Sequence, residues 1–429
     1  MEDVVRLDAA RLATLTEELA GLAGAGPVEL VDTIAQLERL KNAAAAAQAR
    51  ATVELREIRE VEARSTGRSV QRVAGSVAGE IGLARHESPH RASTLAGLAG
   101  VLAAEMPHTM RAFTTGDVSE WRATIMVRET ACLSREHRMA ADAELGPKLA
   151  TLSTREIASE ARKVAYRLDP HSVVARIGKA EADRNVTIRP APDCMTRVSA
   201  LLPAADGVAA YAALTSAADT ARAAGDERSK SQIMADTLVA RVTGEEDAGQ
   251  VDVEIQLVIT DEALLGDSDT PARMNDYGPI PARIARGLAA DAIGSDRAWI
   301  RRLYTRPDDG QLVAMETGRR HFPKSMKAFI KTRDDHCRTP WCDAPIRHTD
   351  HITPVRAGGT TSLTNGQGLC EQCNQLKEHP GWQHLTGPDG TITVHTPTGH
   401  RHHSRPPDLP HEHKPLPFRV DFRYPRPAA

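Results

Sequence analysis

Cys337-Arg-Thr-Pro-Trp-Cys342 is followed, 27 residues later, by Cys370-Glu-Gln-Cys373, so four of the six cysteines of the chain lie in two short pairs. Two such pairs have the spacing of two knuckles that close around one tetrahedral Zn²⁺ ion. Thiolates at ~2.3 Å from the ion require a tight turn within each pair, and Pro340 favours one. We therefore predict a structural zinc site, with two disulfides or four ordinary thiols as the alternatives.

A second group of polar residues lies between and beside the cysteine pairs. It comprises His348-Thr-Asp350-His351, Gly358-Gly359, Asn365, Asn374 and Lys377. Because the cysteines fill the four zinc positions, Asp350, His351 and Asn374 are free for another task. Carboxylate and amide oxygens are hard ligands that suit Mg²⁺ or a similar ion, and an adjacent histidine can act as a general base. By spacing alone, a zinc ribbon with a polar loop is the alternative.

The combined pattern resembles the HNH (ββα-metal) endonuclease motif in its zinc-braced form. The resemblance covers roughly residues 325–385 and rests on the order Cys337-x₄-Cys342, Asp350-His351-Ile-x-Pro354, Gly359, Asn365, Cys370-x₂-Cys373-Asn374-x₂-Lys377. The nine-residue step from Asn365 to Asn374 also agrees with the motif. This resemblance implies a metal-dependent nuclease module with two β-strands and one α-helix around the site.

The resemblance assigns a role to each motif position. His351 matches the general base that activates the attacking water, and Asp350 and Asn374 match the ligands of a catalytic Mg²⁺ or Mn²⁺ ion. Asn365 matches the residue that braces the loop and orients His351, while Lys377 would face a phosphate. Further candidates for phosphate contact are Arg347, Arg356 and Lys331.

The implied activity is hydrolysis of DNA phosphodiester bonds, with RNA as an alternative substrate. A single hard cation would stabilise the charge that develops on the leaving 3′-oxygen. A zinc-stabilised nucleic-acid-binding protein without cleavage activity is the competing hypothesis. The presence of Asp350, His351, Asn365 and Asn374 favours the enzyme.

The region before the cysteines is similar to a bacterial family called domain of unknown function 222, also described as the 13E12 repeat family. The residues that carry this likeness are Asp193-x-Met195, Leu201-Leu-Pro203 and the segment Asp226-x-Arg228-x₃-Gln232-x₂-Ala235-Asp236. No biochemical role follows from the name of that family.

Periodicity and breaker residues predict an α+β multidomain protein. We expect a mainly helical region at 1–184, an α+β region at 185–318, and a nuclease module with the four-cysteine zinc site and a terminal hairpin at 319–395. Eight prolines and no clear periodicity predict a Pro/His-rich tail of low order at 396–429. The Ala-rich helix expected at 27–64 either packs within the chain or mediates homo-oligomerisation.

The distribution of charge supports a polyanion partner at the C-terminal end. The whole chain carries 54 Lys and Arg against 57 Asp and Glu, whereas residues 319–429 carry 16 against 10 together with 12 of the 17 histidines. A basic, His-rich segment on an acidic body suggests nucleic acid or metal chemistry. No signal peptide or membrane-spanning run is visible, so we expect a cytoplasmic location without membrane contact.

Overall fold

The computed structural model describes residues 9–21, 26–244, 255–294, 316–317, 321–387 and 389–410. The chain divides into two compact units, the first within residues 1–74 and 93–176 and the second within residues 75–92 and 177–429, and each is described by its placed residues alone. None of the helices in these ranges is long and apolar enough to cross a membrane. Helices dominate the N-terminal part and the sheets lie in the C-terminal part, which confirms the predicted α+β multidomain class.

The first unit is helical. Its elements are α1 (Ala9–Ala20), α2 (Pro27–Ser65), the start of α3 (Val70–Arg85), most of α4 (Pro89–Glu105), α5 (Pro107–Thr114), α6 (Glu120–Glu129), α7 (Arg135–Leu145), α8 (Thr154–Leu168) and the first half of α9 (Pro170–Ala182). Serine side chains accept hydrogen bonds from the first turns of α6, α7 and α8. In α8, Ser153 and Glu156 form a reciprocal capping box, which satisfies two N–H groups that would otherwise lack partners.

The Ala-rich middle of α2 packs within the chain. Ala46 and Ala49 lie in the buried core of the first unit, together with Leu102, Phe113 and Ile157. Small side chains let a helix approach its neighbours closely. This part of α2 therefore packs against other helices of the same chain. The start of α2 leaves Val28, Val31 and Ile34 exposed, and self-association through the N-terminal helices stays a prediction.

The second unit is mixed. Its N-terminal elements are a hairpin of β1 (Asn185–Ala191) and β2 (Met195–Leu201), helices α10 (Ala204–Ala223) and α11 (Lys230–Thr243), a three-stranded sheet of β3 (Leu257–Val258), β4 (Ala272–Met274) and β5 (Gly278–Ile280), and helices α12 (Asp261–Leu265) and α13 (Ala282–Gly294). The C-terminal elements are β6 (Glu316–Thr317), α14 (Lys324–Asp334), β7 (His348–His351), β8 (Thr361–Ser362), β9 (Gly366–Leu369), α15 (Glu371–Lys377), β10 (Gln383–Thr386), β11 (Ile392–His395) and β12 (Arg401–Ser404).

Strands β7 and β9 pair antiparallel and lead directly into α15, which gives a ββα arrangement. In this register Asp350 lies opposite Gln367, and His351 lies opposite Gly366. A Cβ at Gly366 would lie 2.4 Å from Cδ1 of Ile330 in α14, so a side chain there would force Ile330 to shift. Helix α14 therefore packs directly against the strand pair that carries the predicted catalytic residues.

A buried carboxylate connects α14 to the rest of this module. Asp334 accepts hydrogen bonds from Nε of Arg333 at 2.7 Å and from the backbone N–H of Gly368 at 2.7 Å. The Arg338 guanidinium lies 3.6 Å from Asp334 and donates to the carbonyls of Gly390 and Ser404 at 3.1 and 2.8 Å. Both Asp334 and Arg338 are buried, so this network ties α14, β9 and the sheet of β10–β12 together.

The structure differs from the expected tail of low order at 396–429. Arg401–Ser404 forms β12, which pairs antiparallel with β11, while β10 and β11 form the expected terminal hairpin. Backbone hydrogen bonds to β11 stabilise β12, although its His-rich sequence shows no alternation of apolar and polar residues. Residues 411–429 lie outside the described part of the chain.

Helix α3 contributes to the core of the C-terminal module. Leu83 is buried in one cluster with Ile352, Leu376, Trp382, Ile392 and Val394. The Nε1 of Trp382 donates a 2.8 Å hydrogen bond to the hydroxyl of Ser76, which is 306 positions away in the sequence. Residues 75–92 therefore belong to the unit that contains the cysteines.

The close approach of α3 to α15 predicts a specific packing defect. A Cβ at Gly79 would lie 2.6 Å from Cδ2 of Leu376 and 3.1 Å from Cζ2 of Trp382. We expect Gly79→Val to reduce the free energy of unfolding of the second unit by about 1–3 kcal/mol, because overpacking forces these side chains apart. Denaturant unfolding and hydrogen exchange of residues 371–395 measure this change.

The matched control is Gly207→Val in α10, where no atom lies within 4 Å of the added Cβ. It should change the free energy of unfolding by less than about 1 kcal/mol. Equal stability and equal hydrogen exchange of the two variants would contradict the described packing of α3.

Candidate metal centre and active site

The four cysteines of the two pairs form one buried cluster. Cys337, Cys342, Cys370 and Cys373 place their Sγ atoms within 4.8 Å of one another, and the Sγ atoms of Cys342 and Cys370 are 3.8 Å apart. A tetrahedron with Zn–S bonds of about 2.3 Å has edges of about 3.8 Å. The thiol set therefore has the size and the soft donor chemistry of a zinc site, which agrees with the prediction that it could bind zinc.

Local turns bring each cysteine pair into position. The Cys337 N–H donates to the carbonyl of Ala344, and the Cys342 N–H donates to the carbonyl of Thr339, both at 3.0 Å. Trp341 turns the first knuckle with a left-handed φ of 59°. Cys370 is the N-cap of α15, where its Sγ accepts from the Cys373 N–H at 3.4 Å.

Crowding of the four thiols determines how they ionise. Hydrogen bonds from Cys337 and its neighbours lower the pKa of Cys370, whereas hydrogen bonds with Cys337 and Cys342 raise the pKa of Cys373. A hydrogen bond with Cys342 also lowers the pKa of Cys337, whereas hydrogen bonds with Cys337 and Cys370 raise the pKa of Cys342. A bound Zn²⁺ ion would allow all four sulfurs to be deprotonated, as metal ligation requires.

Lys377 lies on α15, the helix of the motif, but its ammonium points into the protein. Its ammonium is buried and binds the Oδ2 of Asp350 and the backbone carbonyl of His351. Only 4% of its side chain is accessible, so the ammonium does not face a phosphate at the surface. The side chain is directed inward from α15 onto the end of β7, so the structure does not support the phosphate contact, which stays a prediction.

His351 is half-buried on the opposite face of β7. Its Nε2 shares a 2.9 Å hydrogen bond with the hydroxyl of Thr361, and its ring lies 4.5 Å from the ring of Phe322. Burial lowers the pKa of His351 below its ordinary value, although Asp350 opposes this shift. This shift favours the neutral imidazole, which is the form that can accept a proton from water. Neither Thr361 nor Phe322 was predicted from the sequence, since neither belongs to the spacing pattern.

Asn365 braces the loop between β7 and β9 through both the oxygen and the nitrogen of its side-chain amide. Its Oδ1 accepts from the Thr353 N–H at 2.8 Å, and its Nδ2 donates to the carbonyls of Thr353 and Thr360 at 3.0 and 2.7 Å. A Cβ at Gly359 would lie 1.9 Å from the Thr353 carbonyl oxygen, so this loop requires glycine there. Asn365 thus holds the loop backbone, and no hydrogen bond between described atoms joins it to the His351 ring.

Asp350 at the end of β7 and Asn374 on α15 carry hard oxygen donors. Oδ2 of Asp350 is bound to Lys377, whereas Oδ1 of Asp350 and the half-buried Asn374 amide make no hydrogen bond to the described residues. Apart from the four cysteines, no group of three His, Cys, Asp or Glu ligand atoms converges within the described ranges. Carboxylate and amide oxygens are of the type that Mg²⁺ takes in proteins, and a catalytic ion held by these two residues stays a prediction.

Three other predicted phosphate contacts lie on the surface. Arg347 is exposed without a side-chain partner among the described residues. Nη1 of Arg356 binds Oε2 of Glu378 at 2.9 Å with both side chains largely exposed, and Nζ of Lys331 lies 3.7 Å from Oδ2 of Asp276. Exposed ion pairs of this kind are weak, and phosphate contacts of these three residues stay predictions.

Comparison with known protein families agrees with the two parts of the chain. Residues 34–334 match the family described as Domain of unknown function (DUF222), and residues 336–379 match the family described as HNH endonuclease. The HNH match contains all four cysteines and the segment from Asp350 to Lys377.

Curated relatives resemble only a short part of the chain. "Uncharacterized protein Rv3776" of Mycobacterium tuberculosis is 36% identical over 91 residues, which are 20% of this chain and 17% of that protein. "Uncharacterized protein MT2160" of another strain of the same species is 34% identical over 91 residues, 20% of this chain and 16% of that protein. The match thus spans about one sixth of the length of these relatives. No solved structure matches the chain significantly.

The cysteine cluster predicts one tightly bound zinc ion per chain. Elemental analysis of reduced, freshly purified protein should find about one Zn²⁺, because four converging thiolates bind this ion tightly. Cys370→Ser should lose the ion and increase hydrogen exchange across residues 337–379. Cys194→Ser removes an exposed thiol outside the cluster and should retain the ion. Zinc-free wild-type protein would contradict this assignment.

The buried position of Lys377 predicts a stability defect. Lys377→Met should reduce the free energy of unfolding by about 1–3 kcal/mol, because Asp350 and the His351 carbonyl lose their donor. The salt dependence of nucleic-acid affinity should stay unchanged, since no surface cation is removed. Denaturant unfolding and a salt titration of binding measure the two effects.

Arg356→Ala is the control, since it removes an exposed pair and should cost at most about 1 kcal/mol. The opposite outcome is a Lys377→Met protein that keeps wild-type stability and binds nucleic acid with a salt dependence that corresponds to one phosphate contact fewer. That result would support the phosphate contact predicted from the sequence.

Proposed function

The chain belongs to the family described as Domain of unknown function (DUF222) and carries an HNH endonuclease domain, and on this premise we propose that it is a metal-dependent endonuclease that hydrolyses DNA. The HNH domain supports a nuclease-type function in general. The observation that carries the proposal is the half-buried imidazole of His351, which follows Asp350 on β7 and whose Nε2 shares a 2.9 Å hydrogen bond with the hydroxyl of Thr361.

The proposed chemistry is attack of water on a phosphodiester. His351 accepts the proton of the attacking water through a ring nitrogen, and the strand pair β7–β9 fixes the backbone on which it lies. Asp350 and Asn374 would hold a divalent cation, which when bound supplies positive charge to the phosphate and the leaving 3′-oxygen. The expected products carry 5′-phosphate and 3′-hydroxyl ends.

The competing hypothesis is a zinc-stabilised protein that binds nucleic acid without cutting it. Such a protein requires the cysteine cluster and the surface cations but not a neutral base with an available nitrogen. A plasmid-nicking assay with titrated Mg²⁺ or Mn²⁺ separates the two hypotheses, and a parallel arm with RNA decides which nucleic acid is the substrate.

The proposed base predicts a selective loss of catalysis. His351→Ala should reduce the cleavage rate by about 10²–10⁴-fold, since that is the usual contribution of a positioned base. Zinc content and nucleic-acid affinity should change little, because the proton is transferred only in the transition state. Single-turnover cleavage, elemental analysis and equilibrium binding measure the three properties.

Asp350→Ala and Asn374→Ala should also reduce cleavage, but with a higher requirement for Mg²⁺ or Mn²⁺, because each variant lacks one proposed ligand. His403→Ala on β12 is the matched control, since this exposed histidine lies outside the HNH segment. Equal cleavage rates of wild type and His351→Ala would show that the activity has another source.

A further inference from the structure

We infer that Thr361 and Phe322 are positioning residues for the His351 imidazole, and that together they direct its Nδ1 to the substrate. Thr361 shares the 2.9 Å hydrogen bond with Nε2, and Phe322 lies against the ring at 4.5 Å with an interplanar angle of 35°. Both residues are buried, each with 5% of its surface accessible. The inference rests on the proposed function, in which His351 is the base.

The hydrogen bond to Thr361 determines which nitrogen can act. A neutral imidazole has one N–H donor and one acceptor nitrogen, and the partner of one nitrogen selects the tautomer. When the Thr361 hydroxyl accepts from Nε2–H, the lone pair lies on Nδ1. Nδ1 has no hydrogen-bond partner among the described residues, so it can accept a proton from water.

Asn365 affects the orientation of the His351 ring indirectly, through Thr361. Its Nδ2 donates to the carbonyl of Thr360, and its backbone N–H donates to the hydroxyl of Ser362 at 3.1 Å. The two bonds hold the residues on either side of Thr361. The orientation of His351 therefore depends on Asn365 through the position of Thr361, and not through a direct contact of the amide.

The supports of His351 extend beyond the segment that matches HNH. Phe322 precedes α14 within residues 34–334, the part that matches DUF222. Thr361 lies in β8, which pairs with β6, with Thr317 opposite Thr361. The end of the DUF222 region thus contributes one ring and one strand to the surroundings of the proposed base in this chain.

The test compares three variants in the full-length, zinc-loaded protein. Thr361→Val keeps the shape but removes the hydroxyl, Thr361→Ser keeps the hydroxyl, and Phe322→Leu removes the ring. We expect Thr361→Val to reduce kcat by about 10–100-fold with an unchanged KM for plasmid DNA, because a misplaced base affects the transition state alone. Thr361→Ser should retain kcat within about fivefold, and Phe322→Leu should resemble Thr361→Val.

Thr393→Val is the matched control, because Thr393 shares a 3.1 Å hydrogen bond with Nδ1 of His403 outside the site. It should leave kcat unchanged. Loss of kcat to the same extent in Thr361→Ser and Thr361→Val, or a wild-type kcat in Thr361→Val, would overturn the inference.

A second readout does not depend on cleavage. Long-range ¹H–¹⁵N spectra of ¹⁵N-histidine-labelled protein, with His351→Ala for assignment, should show His351 as the Nε2–H tautomer in wild type and as a mixture of tautomers in Thr361→Val. A wild-type Nδ1–H tautomer would overturn the inference. If wild type does not cleave but shows the expected tautomer, the proposed function fails while the positioning of the ring stands.

Discussion

The C-terminal module depends on one buried carboxylate, that of Asp334. It accepts hydrogen bonds from Arg333 and Gly368 and lies beside the fully buried guanidinium of Arg338, which reaches the carbonyls of Gly390 and Ser404. A buried charge is tolerated only when it is paired and hydrogen-bonded, so removal of Asp334 would leave two guanidinium groups without their anion. Asp334 is also the last residue of the DUF222 match, three positions before the first zinc-site cysteine.

The alternation of side chains along β7 divides the candidate active site between two environments. Consecutive residues of a strand point to opposite faces, so Asp350 meets Lys377 of α15 while His351 meets Phe322 and the end of β8. Asp350 is therefore held by an internal cation, and His351 is held by an apolar ring and a hydroxyl. This division gives different surroundings to the proposed metal ligand Asp350 and the proposed base His351.

The DUF222 region and the HNH segment are not independent pieces of structure in the second unit. Helix α3 buries Leu83 among Leu376, Trp382 and their neighbours, and α14 packs its Ile330 against Gly366 of β9. Both helices belong to the DUF222 match, whereas the residues that they contact lie in or just after the HNH match. Residues 336–379 alone would lack two of the surfaces that cover the strand pair and its helix.

The sequence by itself determined the α+β class, the cysteine cluster, and the grouping of Asp350, His351 and Asn365 on one strand pair and its loop. Ligand spacing and the HNH pattern are local, so they can be read without knowledge of the fold. Only the tertiary structure decided that Lys377 pairs with Asp350 instead of facing a phosphate, that α3 joins the C-terminal module, that residues 401–404 form a strand, and that Thr361 and Phe322 contact His351. These features depend on contacts between distant positions, such as Leu83 with Leu376, and long-range packing leaves no periodic signal in the sequence.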